Sequence, residues 1–205
     1  MQRFKNKIVV VTGAGSGIGR STALRLDAEG AKLLIVDINE DQLESTRSML
    51  KNKESSSHVV DISSQERTEE FFQDLLNIHK RLDALINVAG VLRFDNSHEV
   101  ELDNWNKILD INLTGTFFMC RYALPLLLES KGAIVNVSST AAIGAHAWTA
   151  AYSASKGGIS AFSKTLAVEY GMRGLNINCV CPASIETPMS SNPDMPKDID
   201  TRLLK

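Results

Sequence analysis

Short runs dense in Val and Ile alternate along the chain with longer segments whose apolar positions recur at helical spacing. Ile8 to Val11, Lys32 to Val36, His58 to Val60, Leu82 to Ile86, Ala133 to Val137 and Asn176 to Val180 read as strands. Runs apolar on both faces suit a parallel sheet covered on both sides. Helix-start signals stand between them: Asn39 before Gln42 and Ser63 before Glu66 have capping-box spacing. Such strand–helix alternation implies βαβ units with right-handed crossovers. The predicted fold is therefore α/β, a doubly wound parallel sheet with helices on both faces. No repeat, low-complexity tract or linker divides the chain, so residues 1–205 are expected to form a single domain.

Two predicted helices are too apolar to face water. Leu113 to Leu128 carries Phe117, Phe118, Met119, Cys120, Tyr122 and five leucines, counting both ends' neighbourhood at Leu113, Leu124, Leu126, Leu127 and Leu128. Ala150 to Tyr170 is mostly Ala, Ser and Gly with single large apolar residues. A helix apolar on most sides is buried on most sides. One side covers the sheet, and the other is expected to meet a second copy of the chain, giving a homodimer or homotetramer. The alternative is a loop or appendage of the same chain.

Composition excludes several classes. A hydrophobic fraction of 43%, a charged fraction of 22% and a net charge of -2 describe an ordinary globular chain with no electrostatic case for nucleic acid or an anionic membrane. No apolar run approaches the ~20 residues that span a bilayer. Met1 to Lys5 leads straight into a strand, so no secretory signal is expected. Cys120, Cys179 and Cys181 lack C-x-x-C spacing and read as buried, reduced thiols of a cytoplasmic protein. The four histidines are scattered, and no metal site is predicted.

The candidate chemistry begins at Thr12 to Gly19, a glycine-rich turn between the first strand and the first helix. Glycines let backbone approach a pyrophosphate, and the helix N-terminus offers it unpaired N–H groups. The strict G-x-G-x-x-G spacing is not met, because Ile occupies position 18. Asp37 closes the second strand, where a carboxylate can bond both ribose hydroxyls of NAD and repel the 2′-phosphate of NADP. No Arg or Lys adjoins it. Asn87-Val88-Ala89-Gly90 lies just past another strand end, where ligands bind in open α/β sheets. Farther on, Tyr152 and Lys156 share one helix face. An ammonium beside a phenol favours the phenolate, which makes the pair a plausible general base.

In these motifs the chain resembles the short-chain dehydrogenases/reductases, over residues from about 5 to 190. The resemblance rests on T-G-x-x-x-G-x-G at Thr12–Gly19, N-x-A-G at Asn87–Gly90, the helix asparagine Asn112, the serine of N-x-S-S at Ser139, and Y-x-x-x-K at Tyr152–Lys156. It implies a Rossmann-like sheet and hydride transfer between a secondary alcohol or ketone and a nicotinamide. Tyr152 would then be the acid/base. Ser139 would hold the same substrate oxygen, so that both bind substrate. Lys156 would lower the tyrosine pKa and hold the nicotinamide ribose, and Asn112 would anchor a water of a proton relay. The cofactor, NAD in preference to NADP, would meet Gly13, Ser16, Gly17, Ile18 and Gly19. Asp37 would take the ribose, Asp61 and Ile62 the adenine, and Asn87, Ala89 and Gly90 the adenosine side. Tyr152, Lys156, Pro182, Ile185 and Thr187 would surround the nicotinamide.

Two departures stand out. Ala183 replaces the usual glycine after Pro182, so the backbone there must avoid positive φ. Relatives also continue through a lid, a further helix and a seventh strand, whereas residues 190–205 correspond to the start of a lid; a truncation relative to the family is the expectation. His146 and Trp148 lie between Ser139 and Tyr152. His146 reads as a rim residue and Trp148 as an apolar wall of the pocket. The competing readings are a 3-oxoacyl-carrier-protein reductase, whose NADPH preference conflicts with Asp37, and a non-catalytic dinucleotide-binding protein.

Overall fold

The computed structural model describes residues 2–144, 146–191, 195–197 and 199–204. Its strands are β1 (Ile8–Thr12), β2 (Lys32–Asp37), β3 (Ser56–Val59), β4 (Ala84–Asn87), β5 (Ala133–Val137) and β6 (Asn176–Val180). All pair in parallel, in the order β3-β2-β1-β4-β5-β6. Strand order reverses between β1 and β4, so the carboxyl ends of those strands flank a crevice. The helices are α1 (Gly17–Ala28), α2 (Glu40–Met49), α3 (Gln65–His79), α4 (Leu102–Leu109), α5 (Gly115–Ser130) and α6 (Ala150–Tyr170).

The two-residue period of the strands divides the core into two layers. Val9, Val11, Leu33 and Ile35 pack with Ala23 and Leu26 of α1 and Leu43 of α2. Val10, Leu34, Leu85 and Ile134 face the opposite way, onto Phe71 and Phe72 of α3, Met119 and Leu127 of α5 and Leu166 of α6. Burial also explains why α5 tolerates Pro125 in its interior. The proline costs ~3 kcal/mol or more. The neighbouring Leu126 and Leu127 are buried, at ~1.5–3 kcal/mol each.

Several boundaries differ from the sequence reading. β4 starts at Ala84, because Asp83 is occupied as a bracket for the strand start: its carboxylate accepts from Lys7 Nζ, the Ile8 amide and Arg81. The α3 cap is Ser64, whose hydroxyl accepts from the Arg67 amide, whereas Ser63 donates its own to Asp61. β6 is not covered on both faces: Asn176, Asn178 and Val180 are exposed. Cys120 is buried as expected, but Cys179 and Cys181 are only half-buried; all three thiols are free.

The helix predicted to start at Leu113 begins at Leu102. It runs to Ser130 through one π-helical turn at Asp110–Thr114. This continuous 29-residue helix has the length and composition of a membrane span, but polar residues such as Asp103, Lys107, Asp110 and Arg121 interrupt its apolar positions, so it contains no long apolar run. Part of its apolar surface fills the core, with Ile108, Met119, Leu126 and Leu127 buried, whereas Leu102 and Phe117 are exposed.

Candidate active site

The carboxyl ends of the strands open into a cleft of about 530 Å³, within the range of small-molecule and cofactor sites. One end is built by the turn after β1. Gly13 has φ +65, and a Cβ there would lie 2.8 Å from the Ala89 backbone. A Cβ at Gly19 would collide with the Gly13 carbonyl, so α1 can press onto the turn only through a glycine. Thr12 Oγ1 accepts from the Val88 and Ala89 amides at 3.0 and 3.1 Å, which ties the end of β1 to the 87–90 segment. Ser16, the N-cap of α1, makes no side-chain bond to the helix. The first-turn residues Gly17, Ile18 and Gly19 line the cleft. Their amide donors are therefore available to an anion, and the glycine cradle leaves room for backbone approach. These residues fit the pyrophosphate of a dinucleotide.

Asp37 lines the same end. Its carboxylate accepts from the Gly15 amide at 2.8 Å and the Asn39 amide at 3.0 Å, which holds it at the cleft edge. Arg20 packs on the same turn but directs its guanidinium to the Gly15 and Gln42 carbonyls and to Thr46 Oγ1. Asp61, Ile62, Ala89 and Gly90 also line the cleft, as do Pro182, Ile185 and Thr187, the last packed against Gly17. Ala183 is not among the residues with positive φ, as its Cβ requires.

At the other end, Ser139 leaves β5 while Tyr152 and Lys156 project from the first turns of α6, and all three line the cleft. Ser139 Oγ accepts from the Ala141 amide at 3.1 Å, which fixes the hydroxyl at the start of a short 3-10 turn. Lys156 is 4% exposed, with Nζ donating to the Val137 carbonyl at 2.8 Å and lying 5.7 Å from the Tyr152 ring centroid. Burial lowers its pKa to about 8, against a weaker opposing pull from Cys179 and Cys181. The phenol of Tyr152 moves upward, not downward as the sequence suggested: burial dominates, and the Ser139 hydroxyl only partly offsets it. The reason is geometric, since the amine is turned to a carbonyl oxygen.

Asn112 and Asn87 do not line the cleft. Asn112 sits in the π-helical turn with no exposure. Its Oδ1 accepts from the Val91 amide at 2.7 Å, and its Nδ2 donates to the Val91 carbonyl at 2.9 Å and to Ser155 Oγ at 3.0 Å. It thus stitches the segment after β4 to α6. The Asn87 side chain points into the core, donating to Asn136 Oδ1 at 2.9 Å and to Cys120 Sγ at 3.3 Å. Its expected cofactor contact is not a side-chain one.

Sequence reasoning missed Leu92 and Phe94, which line the cleft; Trp148, the expected apolar wall, does not. The signal was an apolar stretch directly past Asn87–Gly90, at the carboxyl end of a central strand. Trp148 adopts φ +62, a left-handed conformation that costs a non-glycine residue ~1–3 kcal/mol. His146 is at the exposed rim as expected, with Nε2 3.4 Å from Thr140 Oγ1. Among the described residues no cluster of three or more His, Cys, Asp or Glu could hold a metal.

This architecture has known counterparts. The sequence profile of the short chain dehydrogenases matches residues 7–197. A 3beta-hydroxysteroid dehydrogenase of Mediterraneibacter gnavus is 36% identical over 99% of this chain and 74% of its own length. A meso-2,3-butanediol dehydrogenase of Serratia marcescens is 33% identical over 92% of this chain and 75% of its own. The crystal structure of levodione reductase superposes with a TM-score of 0.87 at 32% identity, covering 91% of this chain and 75% of that one.

Proposed function

The chain belongs to the short chain dehydrogenase family, and on that premise we propose that it interconverts a secondary alcohol and a ketone with NAD. The observation that carries this reading is a single cleft with two chemically distinct ends. The glycine turn, the open α1 amides and Asp37 lie at one end, and Ser139, Tyr152 and Lys156 at the other. Gly13 to Gly19 would hold the pyrophosphate and Asp37 the adenosine ribose hydroxyls. The nicotinamide supplies the hydride acceptor in oxidation and the hydride in reduction.

The chain's own residues handle the proton and the orientation. Ser139 holds the substrate oxygen through its hydroxyl, and Tyr152 takes the hydroxyl proton as the carbonyl forms. To accept that proton Tyr152 starts as the phenolate, which the Lys156 ammonium would stabilise, and the same ammonium would hold the nicotinamide ribose of a bound cofactor. Asn112 takes part in a relay through its backbone carbonyl, because its side chain is committed to Val91 and Ser155. That carbonyl already accepts from Thr116 Oγ1 at 2.6 Å and has a second lone pair for a water. Three free thiols suit a reducing, cytoplasmic setting. The outer faces of α5 and α6 are assigned to a homodimer or homotetramer.

The test is a panel of secondary alcohols with NAD, followed by NADH absorbance, alongside cofactor titrations. We expect turnover by the wild type and its loss in Tyr152→Phe with cofactor affinity retained. Turnover retained by Tyr152→Phe refutes the assigned base. Tighter binding of NADP than of NAD refutes the role given to Asp37.

A further inference from the structure

The segment between β5 and α6 is held in a costly shape at the catalytic end of the cleft. Trp148 has φ +62, its carbonyl accepts from the Asp95 amide at 2.8 Å, and the buried Thr149 donates its hydroxyl to the His146 carbonyl at 2.8 Å. Left-handed backbone at a bulky residue persists only where its surroundings over-determine it, and such positions cluster at functional sites. Here the pinned bend presents His146 to the cleft.

The imidazole is linked to the catalytic end of the cleft through Thr140. Thr140 directly follows Ser139, and Thr140 Oγ1 lies 3.4 Å from His146 Nε2. The ring therefore contacts the residue next to Ser139. Among the described residues no other side chain bonds the ring, which leaves Nδ1 open to a ligand. The same cleft carries the apolar side chains of Leu92, Phe94, Ile185 and Met189. Those side chains suit a hydrocarbon body and cannot satisfy a second oxygen.

We propose that His146 is a specificity-determining residue that hydrogen-bonds a second oxygen on the carbon next to the reacting one, so that the substrate class is a vicinal diol and its α-hydroxyketone. The inference rests on the alcohol–ketone reading above and narrows it. In the oxidation one carbinol carbon gives its hydride to the nicotinamide and its hydroxyl proton to Tyr152. The adjacent hydroxyl keeps its proton and remains bound to His146.

The experiment compares kcat/KM for cyclohexane-1,2-diol and cyclohexanol, each with NAD and with NADP, in wild type, His146→Leu and His146→Gln. The expected result is a wild-type preference for the diol that falls about tenfold in His146→Leu, the scale of one hydrogen bond. The diol-specific part should appear mainly in KM and be largely restored by His146→Gln. Parallel losses on both substrates, or no change in the ratio, overturn the assignment while leaving the alcohol–ketone reading intact. Failure of the wild type to oxidise either alcohol with either cofactor overturns that reading and this inference together.

Discussion

At the scale of single residues, Lys156 carries a desolvation cost that bears on stability. Its amine stands almost wholly buried beside one carbonyl oxygen, and burial brings its pKa from 10.5 to about 8. A depression of that size corresponds to about 3 kcal/mol. Below about pH 8 the amine is charged in both folded and unfolded chains, and the folded chain bears the desolvation cost. Between about 8 and 10.5 the folded chain releases the proton while the unfolded chain keeps it, so stability rises with pH across that window. Lys156→Met is therefore expected to raise the melting temperature of the cofactor-free protein at pH 7 and to abolish turnover. The stability advantage should shrink as the pH passes from 8 to 10. Thermal melts at stepped pH check this, and a lower melting temperature at pH 7 would show that the bond to Val137 outweighs desolvation. The Tyr152–Lys156 spacing was legible in the sequence because helical periodicity alone puts both on one face. The direction of the tyrosine shift was not, because it depends on burial and on where the amine points.

Among the elements, the π-helical turn at Asp110–Thr114 is the least legible and among the most consequential. Apolar periodicity indicates a helix through this region, but one extra residue in a turn leaves no compositional mark. The polar stretch Asp103, Asn104, Asn106 and Lys107 also hid the true start of α4. The α3 cap slipped by one residue for a related reason: Ser63 and Ser64 are equivalent to a pattern, and the bond from Ser63 to Asp61 decides between them. The turn places Asn112 where its amide grips both backbone groups of Val91 and reaches Ser155. Asn112→Ala would leave the Val91 N–H and C=O without their partner. A fully buried orphaned group costs ~1–3 kcal/mol; the two Val91 groups are part-buried, so chemical denaturation should show a loss in the lower part of the ~2–6 kcal/mol that two such groups would give. Dinucleotide affinity should fall as well, since Val91 continues the Asn87–Gly90 edge of the cleft. A variant as stable as wild type, with unchanged cofactor affinity, would show that this clamp is dispensable.

For the whole molecule, the sequence reading that both long helices are apolar on most sides holds differently for the two. Most of the apolar surface of α5 is internal: Met119, Cys120, Ala123, Leu126 and Leu127 are buried between the sheet and its helical neighbours. Its outer stripe, Phe117, Arg121, Pro125 and Glu129, is mixed. The outward face of α6 is different. It carries a row of Ala154, Ala161, Thr165 and Val168 flanked by exposed Lys164 and Glu169, and a Cβ at Gly157 would meet nothing within 4 Å. Small side chains at helical spacing allow a second helix to approach closely, and Val168, 83% exposed, is the large apolar residue in that row. Phe117 flanks it and stacks edge-on against Phe162 of α6 at 5.9 Å, joining the two helices into one surface. A two-fold axis through this surface would set each Val168 near its own copy, because a symmetric interface pairs a patch with itself. Val168→Glu would then place two like charges together in a desolvated contact. Sedimentation velocity should show the wild type as a dimer or tetramer at micromolar concentration and the variant shifted toward monomer. The variant's circular dichroism should stay native, since position 168 is outside the monomer's core. A monomeric wild type refutes the oligomer, and an oligomer indifferent to Val168→Glu moves the interface off α6.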